Sequence, residues 1–454
     1  MRRRLLFILA AVLALAVGVS FALLTTRSLP QGSLETEVTD VTVVAPPPSA
    51  PEPPPPPKPR KPKPKPKPPR QVDKRCWPMF GGGPRREVAR LAIDLGIPRR
   101  KPLWARGLKA YMEYPPSYCD GVLYVNTFKG DTWAIDAETG KVVWRRVSNA
   151  PKPSTPAIAG NKLIVSSKNG TVTALWRKSG KLVWQLRTRA KVESSPAVAN
   201  GVVYFGATDG RLFAVDADTG RIRWAYDTGG RINSSPSLAE GRICITTYAG
   251  SIFCLRRRDG HKLWSRYIKR DVFRYESFYA SASTDGRRLF TIARSGKVVA
   301  LRARDGRVIW TRRLHTLGYS TPAVAHGRVF VGDFRGLLHC YRARTGHELW
   351  RRRVHGRILG APVVVGGLVF FSTLEQRTYA ARITDGGIVW RLRLGKYSPG
   401  IATERHYFFT LNGLVMAYWG KYPELRAKKA AKLAKQRAAK RKSRKRRMPR
   451  RPKP

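Results

Sequence analysis

Residues 194–224 read "SSPAVANGVVYFGATDGRLFAVDADTGRIRW", and this stretch decides the fold. It holds three short apolar runs, Val202 to Phe205, Leu212 to Val215 and Ile222 to Trp224. Runs this short, rich in β-branched and aromatic residues, read as strands rather than helices. Asn200-Gly201, Asp209-Gly210 and Thr219-Gly220 punctuate them. Glycine supplies the positive φ that tight hairpin turns need. The stretch therefore predicts a four-stranded antiparallel meander, and a unit of about 40 residues is the size of one propeller blade.

The same unit recurs on both sides. Tryptophans stand at Trp104, Trp144, Trp184, Trp224, Trp264, Trp310, Trp350 and Trp390, forty residues apart except for one step of 46. From Trp144 onward each is preceded, four residues earlier, by a glycine, Gly140 through Gly386. A proline repeats in phase at Pro116, Pro156, Pro196, Pro236, Pro322 and Pro362, and only the longer fifth unit lacks it. Helical repeats of this length would need a 3.6-residue period and few such turns, so they do not fit. Seven full units end at Trp390, and "GIATERHYFFTLNGLVMAYW" (400–419) then supplies inner strands without an outer one. The unused outer strand is "KPLWARG" around Trp104. Pairing the two gives an all-β, eight-bladed propeller closed by its chain ends, which removes open sheet edges.

The flanks have a different composition. Met1-Arg2-Arg3-Arg4 precedes twenty uncharged residues, Leu5 to Leu24. Twenty helical residues span about 30 Å, a bilayer core, and the arginines favour holding that end in the cytoplasm. A cleaved signal peptide, with small residues at Ser20 and Ala22, is the alternative. Residues 46–70 are dominated by proline and then by Lys-Pro alternation, an extended spacer of about 3.1 Å per residue. The last 35 residues, from Gly420, are dense in Lys and Arg with no apolar face, which predicts disorder. The expected organisation is a cytoplasmic stub at 1–4, a transmembrane signal anchor at 5–24, a linker at 25–75, a propeller at 76–419 and a basic tail at 420–454.

The chain carries 87 Lys plus Arg against 29 Asp plus Glu, a formal net charge of +58. Such a charge speaks to anionic partners rather than to fold. A polyanion or nucleic-acid role for the tail is one reading, and the export signal argues against nucleic acid. No Gly-x-Ser-x-Gly, His-Glu-x-x-His or P-loop pattern occurs, and the seven histidines show no ligand spacing. His261 and His347 follow turn glycines and read as exposed.

The run A-x-D-x-x-T-G-x-x-x-W, present as Ala134 to Trp144 and Ala214 to Trp224, resembles the repeat of PQQ-like, quinoprotein-type β-propellers over roughly residues 101–419. The resemblance implies that the eight tryptophans dock between neighbouring blades, burying the ring and donating the indole N–H to a backbone carbonyl. Family function divides between quinone-dependent dehydrogenases and non-enzymatic binders such as the outer-membrane-assembly propeller lipoprotein, which this chain resembles in architecture. The dehydrogenases carry adjacent cysteines and acidic calcium ligands. This chain has no Cys-Cys pair and few acids in its blades. The expectation is a scaffold without cofactor, metal or catalytic residues, and a quinone- or ligand-dependent enzyme acting on the propeller axis is the alternative.

In the repeat frame Cys244 takes the slot of Tyr204, and Cys254 and Cys340 that of Ala214. A Cys244–Cys254 cross-strand disulfide is one expectation, three buried thiols the other. Cys76–Cys119 is a candidate clip between the leading segment and blade one. The slot of Asp136 and Asp216 becomes Arg256, Arg302, Arg342 and Arg382 in blades four to seven, a candidate basic arc for an envelope protein or anionic polymer. Solvated loops are the alternative. In the longer unit, "RYIKRDVFRYESFYAS" (266–281) interleaves Tyr and Phe with Arg, which suits a protein interface or, alternatively, core packing of a length variant.

Overall fold

A computed structural model describes residues 76–90 and 95–421. The expected anchor at 5–24, the linker at 25–75 and all but the first residues of the tail lie outside the described residues. No helix among the described residues is long and apolar enough to cross a membrane.

The described chain forms eight four-stranded antiparallel sheets, one of them extended by a fifth short strand. Blade three shows the plan. Ala197–Ala199, Val202–Gly206, Arg211–Asp216 and Ile222–Asp227 run from the axis outward. Their register pairs Tyr204 with Ala214 and Ala214 with Trp224. The second and third strands are buried almost throughout, while the outer strand alternates between half-buried and exposed. Blade eight unites the chain ends, for Trp104–Gly107 pairs antiparallel with Leu414–Trp419 in the register Trp104 to Ala417.

Adjacent blades are joined by three devices that the repeat supplies. The first is the tryptophan. The register of blade three shifts between Ala214 and Val215, opposite the Trp224 end of the outer strand. Such a bulge bends the strand and re-aims a side chain. Seven of the eight indoles then donate to a carbonyl of the following blade, as Trp184 Nε1 does to Ala217 O at 3.1 Å. The second is the glycine of the next blade, on which the ring lies. A Cβ built on Gly220 would sit 2.7 Å from Cδ2 of Trp184. The third is a hydroxyl relay at the residue preceding the repeated proline. The amide of Thr155 donates to Ser195 Oγ, Ser195 to Ser235, Ser235 to Ser281 and Ser281 to Thr321, at 2.8–3.2 Å.

The leading segment is not part of a blade. Residues 76–90 enter the ring and run along the inner strands. Tyr118, Ile158, Leu238, Thr284, Val324 and Val364 are inner-strand residues of six different blades. Each donates its amide to a carbonyl of the segment, Trp77, Pro78, Pro84, Arg85, Glu87 and Val88 in turn, at 2.7–3.0 Å. An inner strand has no further strand beside it, so these donors would otherwise go without a backbone partner. Ala89–Arg90 closes the series by pairing parallel with Val364 and Val365.

Candidate functional site

In a four-stranded meander the turns after the first and third strands fall at one end of the ring, the turn face. The turns after the second strands and the connections between blades fall at the other, the connection face. The candidate features divide between these faces and the axis.

On the axis stands Arg86, fully buried. Its guanidinium donates to the carbonyls of Pro236 at 2.5 Å, Phe80 at 2.8 Å and Ser195 at 2.8 Å. Burial without a carboxylate partner lowers its pKa to about 9. The cation holds the segment's fold against blades three and four. Toward the connection face the axis opens into a pocket of about 250 Å³. Its wall includes Phe80, Glu113, Tyr114, Asn233, Tyr279, Tyr319 and Tyr397. Glu113, Asn233, Tyr279 and Tyr319 occupy one slot of the repeat, three residues before the proline position, and Glu193 holds that slot in blade three. That recurring slot is the signal by which sequence reasoning, which missed the pocket, had access to it.

The two acids of the ring differ. Glu193 accepts from Asn233 Nδ2 at 2.6 Å and pairs with Lys168 at 3.6 Å. Glu113 makes no hydrogen bond or ion pair with another described residue. Burial pushes its carboxyl up to about 7, with Lys168 opposing and Glu193 adding to the shift. Burial also raises Tyr114 and Tyr279, whose phenols stay neutral.

On the turn face, the four arginines of the expected arc sit at equivalent turns, and three of them are engaged locally. Arg256 pairs with Asp259 at 3.2 Å, Arg302 with Asp305 at 3.2 Å and Arg382 with Asp385 at 2.9 Å. In the early blades Asp136 and Asp216 instead accept from Thr139 and Thr219. The Arg-x-x-Asp turn is thus the Asp-x-x-Thr turn with its polarity reversed, and much of its charge is spent inside the turn. Arg342 has Thr345 at that spacing and no acid partner among the described residues. A shallow surface depression at the edge of blade four, lined by Tyr226, Arg256, Asp259 and His261, is open to solvent.

On the connection face, the extra residues of the long unit form a projecting hairpin. Lys269 bridges to Tyr275, and Asp271 accepts from the amides of Phe273 and Arg274 and from Arg274 Nε. The tip presents Val272 at 81% and Phe273 at 92% exposure. Exposed Arg266, Lys269, Arg270 and Arg274 surround it. The same stretch also buries an aromatic residue, for Phe278 is fully buried.

Cys244 and Cys254 are Cα partners, and the structure joins their sulfurs, with Cα atoms 4.1 Å apart. Cys76 is joined to Cys119 in the same way, Cα atoms 4.3 Å apart, which ties the axial segment to blade one. Cys340 is a buried free thiol, pushed by burial up to about 12. Among the described residues the one converging group of metal-type ligands is Cys76, Cys119 and Asp120, whose sulfurs are bonded to each other. His261 and His347 are exposed at their turns.

The family profile described as outer membrane protein assembly factor BamB matches residues 91–312, 273–334 and 294–421. The chain belongs to this PQQ-like propeller family. No curated protein is similar to it by sequence. Among solved structures, BamB from Moraxella catarrhalis is 15% identical with a TM-score of 0.61, covering 70% of this chain and 99% of that one. A europium-containing methanol dehydrogenase is 14% identical, TM-score 0.67, covering 76% and 98%. The quinohemoprotein alcohol dehydrogenase from Comamonas testosteroni is 13% identical, TM-score 0.64, covering 76% and 80%. At such identities the likeness is one of fold, and it spans an assembly factor and dehydrogenases alike.

The quinone that the dehydrogenase relatives imply does not fit the axis of this chain. Phe80 and Arg86 occupy it, and Arg86 donates one hydrogen bond from each of its three nitrogens to a carbonyl. The space that remains is about 250 Å³, with Glu113 in its wall.

Proposed function

We propose that this protein is a binding scaffold of the cell envelope rather than an enzyme. In this reading residues 5–24 anchor it, the Pro-Lys stretch holds the propeller off the extracytoplasmic side of the membrane, and the connection face receives an envelope protein. The observation that carries it is the hairpin tip at Val272 and Phe273. Two large apolar side chains almost wholly in water, on a turn fixed by Asp271, have the form of an interface anchor. The exposed Arg266, Lys269 and Arg270 favour a partner whose apolar pocket is rimmed by acids. The axial segment supports the same reading, since it narrows the axis to a pocket of about 250 Å³.

The test is a photo-crosslinking amino acid at position 273 in intact cells, alongside pull-downs of the full chain, a 1–419 truncation and an Arg256/Arg302/Arg342/Arg382→Ala variant. A discrete protein adduct, lost in Phe273→Ser pull-downs but kept by the arginine variant, supports the scaffold reading. Adducts to lipid alone, or a partner that follows the tail or the arginines and ignores Phe273, sinks it.

A further inference from the structure

Beyond a docking role, we propose that the axial pocket of the connection face binds a small zwitterion, its ammonium group against Glu113 and its oxyanion toward the basic rim.

The pocket has the volume of an amino acid or a headgroup rather than of a peptide, about 250 Å³. Its wall is aromatic. Tyr279 and Tyr319 meet edge to face with centroids 5.9 Å apart, and Phe80 and Tyr114 do likewise at 5.9 Å. Aromatic faces beside a carboxylate attract an ammonium group. The carboxylate is Glu113, which has no hydrogen-bond or ion-pair partner among the described residues, whereas Glu193 is held by Asn233 and Lys168.

The rim has the opposite sign. Arg294 donates to the hydroxyl of Tyr319 at 3.1 Å, and Lys396 stands 5.8 Å from the ring of Tyr397. Both tyrosines line the pocket, so each cation contacts a side chain of its wall. Lys168 is near enough to oppose the shift of Glu113. The chain's field, +58 overall, disfavours a bare cation. A ligand carrying both charges satisfies the carboxylate within and the cations outside. Phosphoethanolamine, free or as a lipid headgroup, and α-amino acids share that chemistry.

Binding an ammonium group requires Glu113 ionised. The groups that face it are Lys168, Glu193, Tyr114 and Tyr279, and Arg231 acts on Tyr279 while bonded to Asn233 at 2.9 Å. Affinity therefore rises as pH goes from 6 to 8 and levels off above the Glu113 pKa of about 7.

Calorimetric titration of the full chain with phosphoethanolamine, glycine, ethylamine and inorganic phosphate tests this, with vesicles containing phosphatidylethanolamine separating a lipid from a free source. One zwitterion binds with an affinity that grows severalfold from pH 6 to 8. Glu113→Gln lowers it at least tenfold and abolishes the pH dependence, while its unfolding transition stays cooperative. Arg294→Ala with Lys396→Ala weakens binding and keeps the pH dependence. Absence of binding by every probe at pH 8 overturns the proposal. So does Glu113→Gln binding as well as the parent, or ethylamine or phosphate alone matching the zwitterion.

Discussion

Replacing Gly220 by alanine isolates the contact that joins one blade to the next. Gly220 has φ +76°, a conformation that costs an L-residue about 1 kcal/mol. The new Cβ also falls 2.7 Å from Cδ2, 2.9 Å from Cε3 and 3.0 Å from Cγ of Trp184. That ring is 2% exposed and fixed by its bond to Ala217 O, so it has no free direction to move. Overpacking of this kind costs about 1–3 kcal/mol. Gly201 is the control, with φ +74° and nothing within 4 Å of its added Cβ. Gly201→Ala should lose the backbone share alone, about 1 kcal/mol, and Gly220→Ala about 3 kcal/mol. For a propeller of this length a kilocalorie moves the melting midpoint by about 1.5 °C, so the difference is about 3 °C. Calorimetric melts of both variants read it, and in a Trp184→Val background the extra loss should vanish. Equal midpoints for the two alanine variants would refute the view that the repeated glycine exists to seat the tryptophan.

The axial segment and the cysteines carry the other predictions. Arg86→Met leaves the carbonyls of Phe80, Ser195 and Pro236 without their donor and should cost about 3 kcal/mol, read by denaturant midpoint. A loss under half a kilocalorie would remove Arg86 from the account. Peptide mapping without reductant should recover Cys76 with Cys119 and Cys244 with Cys254, leaving one thiol at Cys340, and five thiols would contradict this. The first bridge closes a sequence separation of 43, worth about 4 kcal/mol in chain entropy, so Cys76→Ser should lower stability by up to that amount. Glu113 supplies a pH dependence. Its folded pKa of about 7 exceeds the unfolded 4.5, so the folded state binds the extra proton between them. Its contribution is full below pH 4.5 and lost as pH rises through 7, a fall of about 3 kcal/mol. Stability measured from pH 4.5 to 8 should show that slope in the parent and lose it in Glu113→Gln.

The blades were legible because a blade is local. Its strands, turns, glycine and tryptophan lie within one forty-residue window, and eight copies in phase allow one reading. Closure was legible by the same count, since a missing outer strand at Leu414–Trp419 and a spare one at Trp104–Gly107 fit only each other. The reversed turns were open to the same inspection, because Arg-x-x-Asp stands at a fixed spacing in three blades. Three of the four arginines of the candidate arc carry such an aspartate in their own turn, and Arg342 does not. The axial pocket was half legible, as a slot three residues before a repeated proline.

Residues 76–90 belong to the other class. They carry no repeat, and their partners, from Tyr118 to Val364, lie up to seven blades away in sequence order. Only a closed ring brings those amides to one axis, and only there does a chain of mixed charge become a place to bury Arg86. The apolar hairpin at Phe273 is similar, because whether an aromatic residue is core or surface depends on whether another blade stands beside it. The sequence by itself therefore determined the repeating unit, the number of units and the way the ring shuts, since each rests on hydrogen bonds and packing within or between neighbouring windows. The tertiary structure decided what fills the axis, which charges are free and where an apolar side chain meets water, since those depend on groups that adjoin only after the ring has closed.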